Sequence, residues 1–328
     1  MKLTIRLAAA LLALSAATSA HADGVLGKNW CSAVHIRFFA GGAEGDLFAT
    51  VVLNGAKQAQ QDTGAQVDFV FSGWDGEKMT QQLREAVASH PDGIAMMGHP
   101  GSAAIMPLAE EAAKGGILME YQNVDVPDVR AKFGGGYIGA NLGPQGTALG
   151  TEAVRRFGLG SGDTAIVVAN WTQEERVARE LGTVKALEAA GVKVIRLSST
   201  TEMAGDPNAA IPLITAALVA NPSVKLIAYP GGAMLGNASV YMQAVGKKPG
   251  EIVNIGFDTS PEIVKQFSDG WIQLSSDQQP YLQGYLPIIS ICQQKVLGLS
   301  PLNEDTGAGF ITPENASKVA DLATKFLR

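Results

Sequence analysis

The sequence predicts an α/β protein of two similar doubly wound lobes, each a parallel sheet covered by helices on both faces. Three observations lead there. Short β-branched or apolar runs alternate with longer stretches whose apolar residues recur at helical spacing. The alternation is written twice along the chain. Finally, 328 residues at 46% hydrophobic, 6% aromatic and 17% charged give a globular composition with length for two domains.

Taken in order, the chain begins with an address. Lys2 and Arg6 precede an Ala- and Leu-rich run, and Ala20-His21-Ala22 sets small residues where a signal peptidase reads. Residues 1–22 are therefore expected to be a secretory signal cleaved before Asp23. The run is shorter than the roughly 20 apolar residues that cross a bilayer. No later stretch is long and apolar enough, and no Cys stands at the cleavage point to carry a lipid, so a diffusing periplasmic protein is expected. Loss of Lys2 and Arg6, two positive charges with no acid, takes the formal charge from −6 to −8. An acidic chain without a polybasic run excludes nucleic acid as a partner.

Strands are expected at 34–39, 67–71, 94–97, 117–119, 165–169, 192–197, 226–229 and 253–257. Between them Val52, Ala56 and Ala59, or Leu181, Val184 and Leu187, mark helices. The halves overlay. Asn54-Gly55-Ala56-Lys57 lies on Leu181-Gly182-Thr183-Val184, His90-Pro91-Asp92 on Asn221-Pro222-Ser223, and Gly116-Ile117-Leu118-Met119 on Glu251-Ile252-Val253-Asn254. The offsets of 127, 131 and about 136 drift as loops lengthen. Two such domains leave a cleft walled by the loops that follow the strand carboxyl ends. Cys31, before the first strand, and Cys292, in an apolar helix, lie in an oxidising compartment where a pair can cross-link; at 261 positions apart they are expected as two buried thiols, with a disulfide as the alternative.

Catalytic motifs are missing. The first post-strand loop, Ala40-Gly41-Gly42-Ala43-Glu44-Gly45, lacks the first glycine of a dinucleotide fingerprint, and no phosphate loop, H-E-x-x-H, C-x-x-C or G-x-S-x-G occurs. No enzyme activity, cofactor or metal is expected. His35 within a strand and His90 at a helix end read as structural. The post-strand loops carry instead Asp46 and Phe48, Trp74 and Asp75, His99, Gln122 and Asn123, Asn170, Arg179, Asp258, and Gln278 with Gln279. Carboxylates, amides and a guanidinium satisfy hydroxyl edges while rings cover C–H faces, which is the chemistry of sugar or polyol recognition.

Gly256-Phe257-Asp258, Arg179-Glu180-Leu181-Gly182, and Gln278-Gln279-Pro280-Tyr281 followed by Gly284-Tyr285 occur in that context. In them the chain resembles the type I periplasmic binding proteins, the ribose- and galactose-binding receptors of sugar ABC transporters, over residues 34–326. The resemblance implies a three-segment hinge and ligand roles for Asp46, Phe48, Arg179, Asp258 and Gln278. The overlay sets Gln122 opposite Asp258, so Gln122 or Asn123 takes the fourth-strand ligand role; Trp74 and His99 join by loop position. Each residue also has a plainer role open to it. Asp46 and Asp258 can cap helices, Phe48 can pack in the core, and Arg179 can be a solvated charge among Glu174, Glu175 and Glu180. Two departures from the family pattern, Pro230-Gly231-Gly232 and a missing aromatic near 203–205, leave the second lobe's wall less crowded than in the ribose receptor, so the resemblance does not carry over ribose as the ligand.

The expected lobes are residues 23–139 with 279–306, and 140–278 with 307–328. The expected function is a monomeric solute receptor that closes on a monosaccharide or sugar alcohol and delivers it to the membrane permease subunits of an ABC importer. The alternative is a periplasmic signal or chemotaxis receptor for a small polar ligand. A sugar-responsive repressor is excluded, because a signal sequence stands where its DNA-binding helices would be.

Overall fold

A computed structural model describes residues 26–172, 174–307 and 309–328. The expected signal, 1–22, lies outside them. Among the described residues twelve strands are present: β1 (His35–Gly41), β2 (Gln66–Phe71), β3 (Gly93–Met97), β4 (Leu118–Gln122), β5 (Gly136–Gly139), β6 (Thr164–Ala169), β7 (Lys193–Ser198), β8 (Val224–Ala228), β9 (Val253–Phe257), β10 (Leu274–Ser276), β11 (Asn303–Asp305) and β12 (Phe310–Ile311). They form two six-stranded sheets, ordered β11-β5-β4-β3-β1-β2 and β12-β10-β9-β8-β6-β7. Every pairing is parallel except β10 with β12. The expected α/β architecture of two doubly wound lobes is what the chain adopts.

The eight expected strands are β1–β4 and β6–β9. The four that escaped expectation are short and weakly patterned: β5 reads Gly-Tyr-Ile-Gly, β11 is an exposed Asn-Glu-Asp and β12 has two residues. Strand order reverses between β1 and β3 and again between β6 and β8, and such switch points open a crevice at the carboxyl edge.

Chain crossings make each sheet discontinuous in sequence. The helix Pro280–Leu297 follows β10 of the second sheet yet packs on the first, placing Ile288, Ile291 and Cys292 in that core. Close helix crossings repeat in the two lobes. A Cβ on Gly55 would fall 2.0 Å from the Tyr281 carbonyl, and one on Gly146 would fall 1.7 Å from the Arg179 carbonyl. Those helices touch backbone to backbone only because the residues are glycine.

The same return of the chain overturns the expectation of two thiols. Cys31 and Cys292 are joined in a disulfide, with α-carbons 5.7 Å apart. Sequence separation says nothing about approach when a late helix comes back to the first lobe. Among the described residues no helix is long and apolar enough to cross a membrane.

One buried acid lies beneath this packing. Glu120 on β4 is fully buried, and its Oε1 accepts from Ser290 Oγ at 2.6 Å and Gln294 Nε2 at 2.7 Å. Burial pushes its pKa up to about 8 against those two donors. The folded state thus keeps a proton that the unfolded chain releases near pH 4.5, so the stabilisation is complete in acid and drains away as pH rises to about 8. Urea unfolding should therefore show the parent losing on the order of 3 kcal/mol between pH 5 and 8 relative to Glu120→Gln. Parallel pH profiles for the two proteins would refute a buried, protonated Glu120.

Candidate functional site

Residues that follow strand carboxyl ends on both sheets wall a single cleft of about 1000 Å³, its open mouth included. Asp46, Phe48, Trp74, His99, Asn123, Arg179, Asp258 and Gln278 all line it, as does Asn170.

On the first lobe's wall Asp46 caps the helix Leu47–Thr63. Its Oδ1 accepts from the Ala49 amide at 2.8 Å and its Oδ2 from Trp74 Nε1 at 3.1 Å. The capping role and the cleft position therefore belong to one carboxylate. Burial raises its pKa, opposed by those two donors. The Trp74 ring lies between Phe48, 5.8 Å away, and His99, 5.3 Å away, so three rings form a continuous apolar face. Phe48 also packs on the core while lining the cleft, so neither of its readings excludes the other. Trp74 itself holds a φ of +61°, a left-handed conformation that a bulky residue takes only where its surroundings impose it.

His99 is half-buried in this face, with its Nδ1 out of contact with solvent. Burial pushes its pKa down to about 3, with the charges of Arg176 and Arg179 across the cleft adding to the effect. The imidazole is neutral, and among the described residues its Nδ1 has no hydrogen-bond partner.

The second lobe's wall is built on the helix Glu174–Ala189. Arg179 is 2% exposed, which removes the solvated-charge reading. Its guanidinium lies 3.8 Å from the centre of the Phe257 ring, donates from Nη2 to the Pro230 carbonyl, and sits 3.3 Å from Glu180 Oε1. Arg176, one turn earlier, donates from Nη1 to both Glu180 oxygens at 2.8 Å and from Nη2 to the same Pro230 carbonyl. Burial and then Arg176 bring the Arg179 pKa down to about 10, so the cation persists at neutral pH.

The two walls meet at the hinge. Asn123 and Asp258 are the first residues after β4 and β9, and both are left-handed, with φ of +62° and +77°. Asp258 does not cap the following helix, whose N-cap is Ser260. Instead its Oδ2 accepts from the Gly232 amide at 2.7 Å and its Oδ1 from Gln278 Nε2. Gln278 Oε1 in turn accepts from Asn123 Nδ2 at 3.3 Å. Gln283 extends the chain of bonds, accepting from Asn123 Nδ2 at 3.0 Å and donating to Thr306 Oγ1 at 3.0 Å.

Gln122 does not reach the cleft. It is the last residue of β4, its side chain turns under the sheet edge, and its Nε2 donates to the Phe39 carbonyl at 2.8 Å. The true counterpart of Asp258 is Asn123; overlaying the halves from the sequence slipped by one residue, which in a strand moves a side chain to the other face.

Several lining residues were not foreseen: Arg176, Glu180, Ser199, Thr200 and Thr201. Arg176 was accessible from its spacing, three residues before Arg179 on one helix face. Ser199, Thr200 and Thr201 follow β7 and obey the same post-strand rule as the rest.

Comparison with known proteins bears on this geometry. The family model described as periplasmic binding protein domain matches residues 36–295. A curated relative, the xylose/arabinose-binding protein XylF of Sulfolobus acidocaldarius, is 27% identical over 254 residues, which is 74% of this chain and 61% of that protein. The chain thus spans about three-fifths of that relative's length. Among solved structures, a carbohydrate transporter from Acidothermus cellulolyticus 11B in complex with myo-inositol matches with a TM-score of 0.77 at 22% identity, covering 90% of this chain and 99% of that one. An ABC transporter solute-binding protein from Burkholderia graminis C4D1M in complex with D-arabinose matches with a TM-score of 0.76 at 22% identity, covering 87% and 97%. These structural likenesses show the fold.

Asp46→Ala should lower stability by about 1–2 kcal/mol in urea unfolding, the usual worth of an N-cap, and shift Trp emission as Trp74 loses its acceptor. Asp46→Asn retains a capping oxygen and should lose less than half of that. Indistinguishable stability of parent and Asp46→Ala would contradict the capping geometry.

Proposed function

Since the chain belongs to the periplasmic binding protein domain family, we propose that it is the solute receptor of an ABC importer. It would take a monosaccharide or sugar alcohol into the cleft and hand it to the membrane permease. The single observation that carries this reading is the make-up of one cleft: an apolar face of Phe48, Trp74 and His99 from one lobe opposes carboxylate, amide and guanidinium groups from the other. Sugars present C–H faces and hydroxyl edges, and such a cleft satisfies both. The curated relative is a xylose/arabinose-binding protein, and the two solved structures hold myo-inositol and D-arabinose, which supports the same ligand class.

The charges favour a neutral ligand. Arg176 and Arg179 already face Glu180 and the Pro230 carbonyl, Asp46 and Asp258 accept protein donors, and His99 is neutral. Ligand oxygens would use the lone pairs and N–H groups that remain. The moving bodies are residues 23–139 with 279–306, and 140–278 with 307–328. Closure of one on the other buries the ligand, and contacts to both lobes supply the differential affinity for the closed state. The receptor acts as a periplasmic monomer, with residues 1–22 its removable address, and it releases its ligand chemically unchanged.

A thermal-shift screen over pentoses, hexoses and polyols should find a ligand that raises the melting temperature, since binding to the native state alone stabilises it. Calorimetry with that ligand should show Arg179→Ala and Asp258→Ala each binding at least tenfold more weakly, by leaving buried polar groups unpaired. A flat screen would overturn the sugar class, and parental affinity in both variants would overturn the site.

A further inference from the structure

Three crossings join the lobes covalently, near Gly139, Gln278 and Thr306, and a fourth stretch of chain joins them by contacts alone. The helix Ala316–Thr324 belongs to the second lobe, packed on the helix Pro261–Ser268. Beyond it, residues 326–328 turn back over the hinge. The Phe326 carbonyl accepts from Asn54 Nδ2 at 3.0 Å, and Asn54 lies on the first helix of the other lobe, one residue before the glycine crossing at Gly55. Arg328 pairs through Nη2 with Asp277 Oδ2, on the crossing segment itself.

Each anchor has the marks of a built contact. The Asp277 side chain is 2% exposed, and its other oxygen accepts from the Gln279 amide at 3.1 Å. Gln279 has a φ of +50° where the chain swings into the helix Pro280–Leu297. Among the described residues, Arg328 is the ion-pair partner of that buried carboxylate. Phe326 holds a φ of +51°, which a non-glycine residue keeps only where contacts hold it. Leu327 and Arg328 share a small cavity with the hinge residues Gln279, Tyr281 and Leu282, so the segment lies over the hinge with room to shift.

We propose that residues 326–328 form a strap that holds the lobes toward the geometry seen here, closed in that the helix Leu47–Thr63 meets the helix Gly232–Gly236 of the other lobe, and sets the balance of open and closed forms before any ligand arrives. Rotation of one lobe on the other changes the distance between the helix Leu47–Thr63 and the helix Ala316–Thr324. The strap spans that distance, so opening must break the Asn54–Phe326 bond, while the Arg328–Asp277 pair, made within the second lobe, holds residues 326–328 in place to make it. Bonds made in only one of two states bias the equilibrium toward it, and apparent affinity follows the closed fraction. The strap rests on the two-lobe closure proposed above but touches no ligand group.

The test is the distance between spin labels on Glu77→Cys and Glu202→Cys, exposed positions on the helices Gly76–Ala88 and Thr201–Gly205 of the two lobes, in ligand-free protein with its native disulfide intact. The parent should show a short-distance, closed population. Asn54→Ala and Arg328→Gln should each reduce it three- to tenfold at unchanged circular dichroism, and Arg328→Lys should restore most of it. If Arg328→Gln fails to fold because Asp277 is left unpaired, Asn54→Ala, which disturbs no buried charge, decides alone. Distance distributions that superimpose on the parent's would overturn the strap. Because the readout needs no sugar, a failed ligand screen and a failed strap are separate results.

Discussion

The amide of Gln278 sits between two residues that hold the same place in the two lobes, accepting from Asn123 and donating to Asp258. Its two ends are not interchangeable. An amide offers a donor on one side and an acceptor on the other, whereas a glutamate would repel Asp258 and a leucine would leave Asp258 Oδ1 without its donor and Asn123 Nδ2 with Gln283 alone. Asn123 and Asp258 both adopt left-handed backbone directly after a central strand, so the contact also fixes the loops that wall the cleft. Gln278 lies on a hinge crossing, and through Gln283 the same bonds reach Thr306 on another. Cleft loops and hinge therefore share one set of hydrogen bonds, and a rotation of the lobes cannot leave the cleft unaltered.

Around that bridge the cleft is divided by chemistry rather than by symmetry. The first lobe supplies rings, with Trp74 oriented by Asp46 and His99 kept neutral by burial and by two facing cations. The second supplies charge held in check. Arg176 and Arg179 converge on Glu180 and on the Pro230 carbonyl, and Phe257 lies under the Arg179 guanidinium. Buried cations cost solvation that only such partners offset, and a guanidinium so fixed presents its remaining N–H groups in a set direction. The glycine crossing at Gly146 and Arg179 ties this wall to the helix that follows the first hinge segment.

Much of this was legible in the residues before any coordinates. Alternating apolar runs placed eight strands, because buried parallel strands read as continuous apolar segments, and the rule that ligand loops follow strand ends found eight of the nine candidate side chains now seen around the cleft. What was hidden has physical reasons. Strands β5, β10, β11 and β12 are too short or too polar to show a period. Gln122 was chosen by an overlay that slipped by one position, and a strand turns such a slip into the opposite face. The disulfide was missed because Cys31 and Cys292 become neighbours only when the chain recrosses the hinge. Arg328 gave no signal, since its partner Asp277 lies 51 residues away on a crossing segment.

The dependence of the cleft on the Gln278 bridge can be measured by a double-mutant cycle for Asn123→Ala and Asp258→Ala on calorimetric binding of the ligand that the thermal-shift screen identifies. Residues in different lobes that act independently add to within about 0.5 kcal/mol. The bridge predicts a coupling of about 1 kcal/mol or more, and its disappearance when the cycle is repeated in Gln278→Leu. Additive losses with Gln278 in place would contradict it.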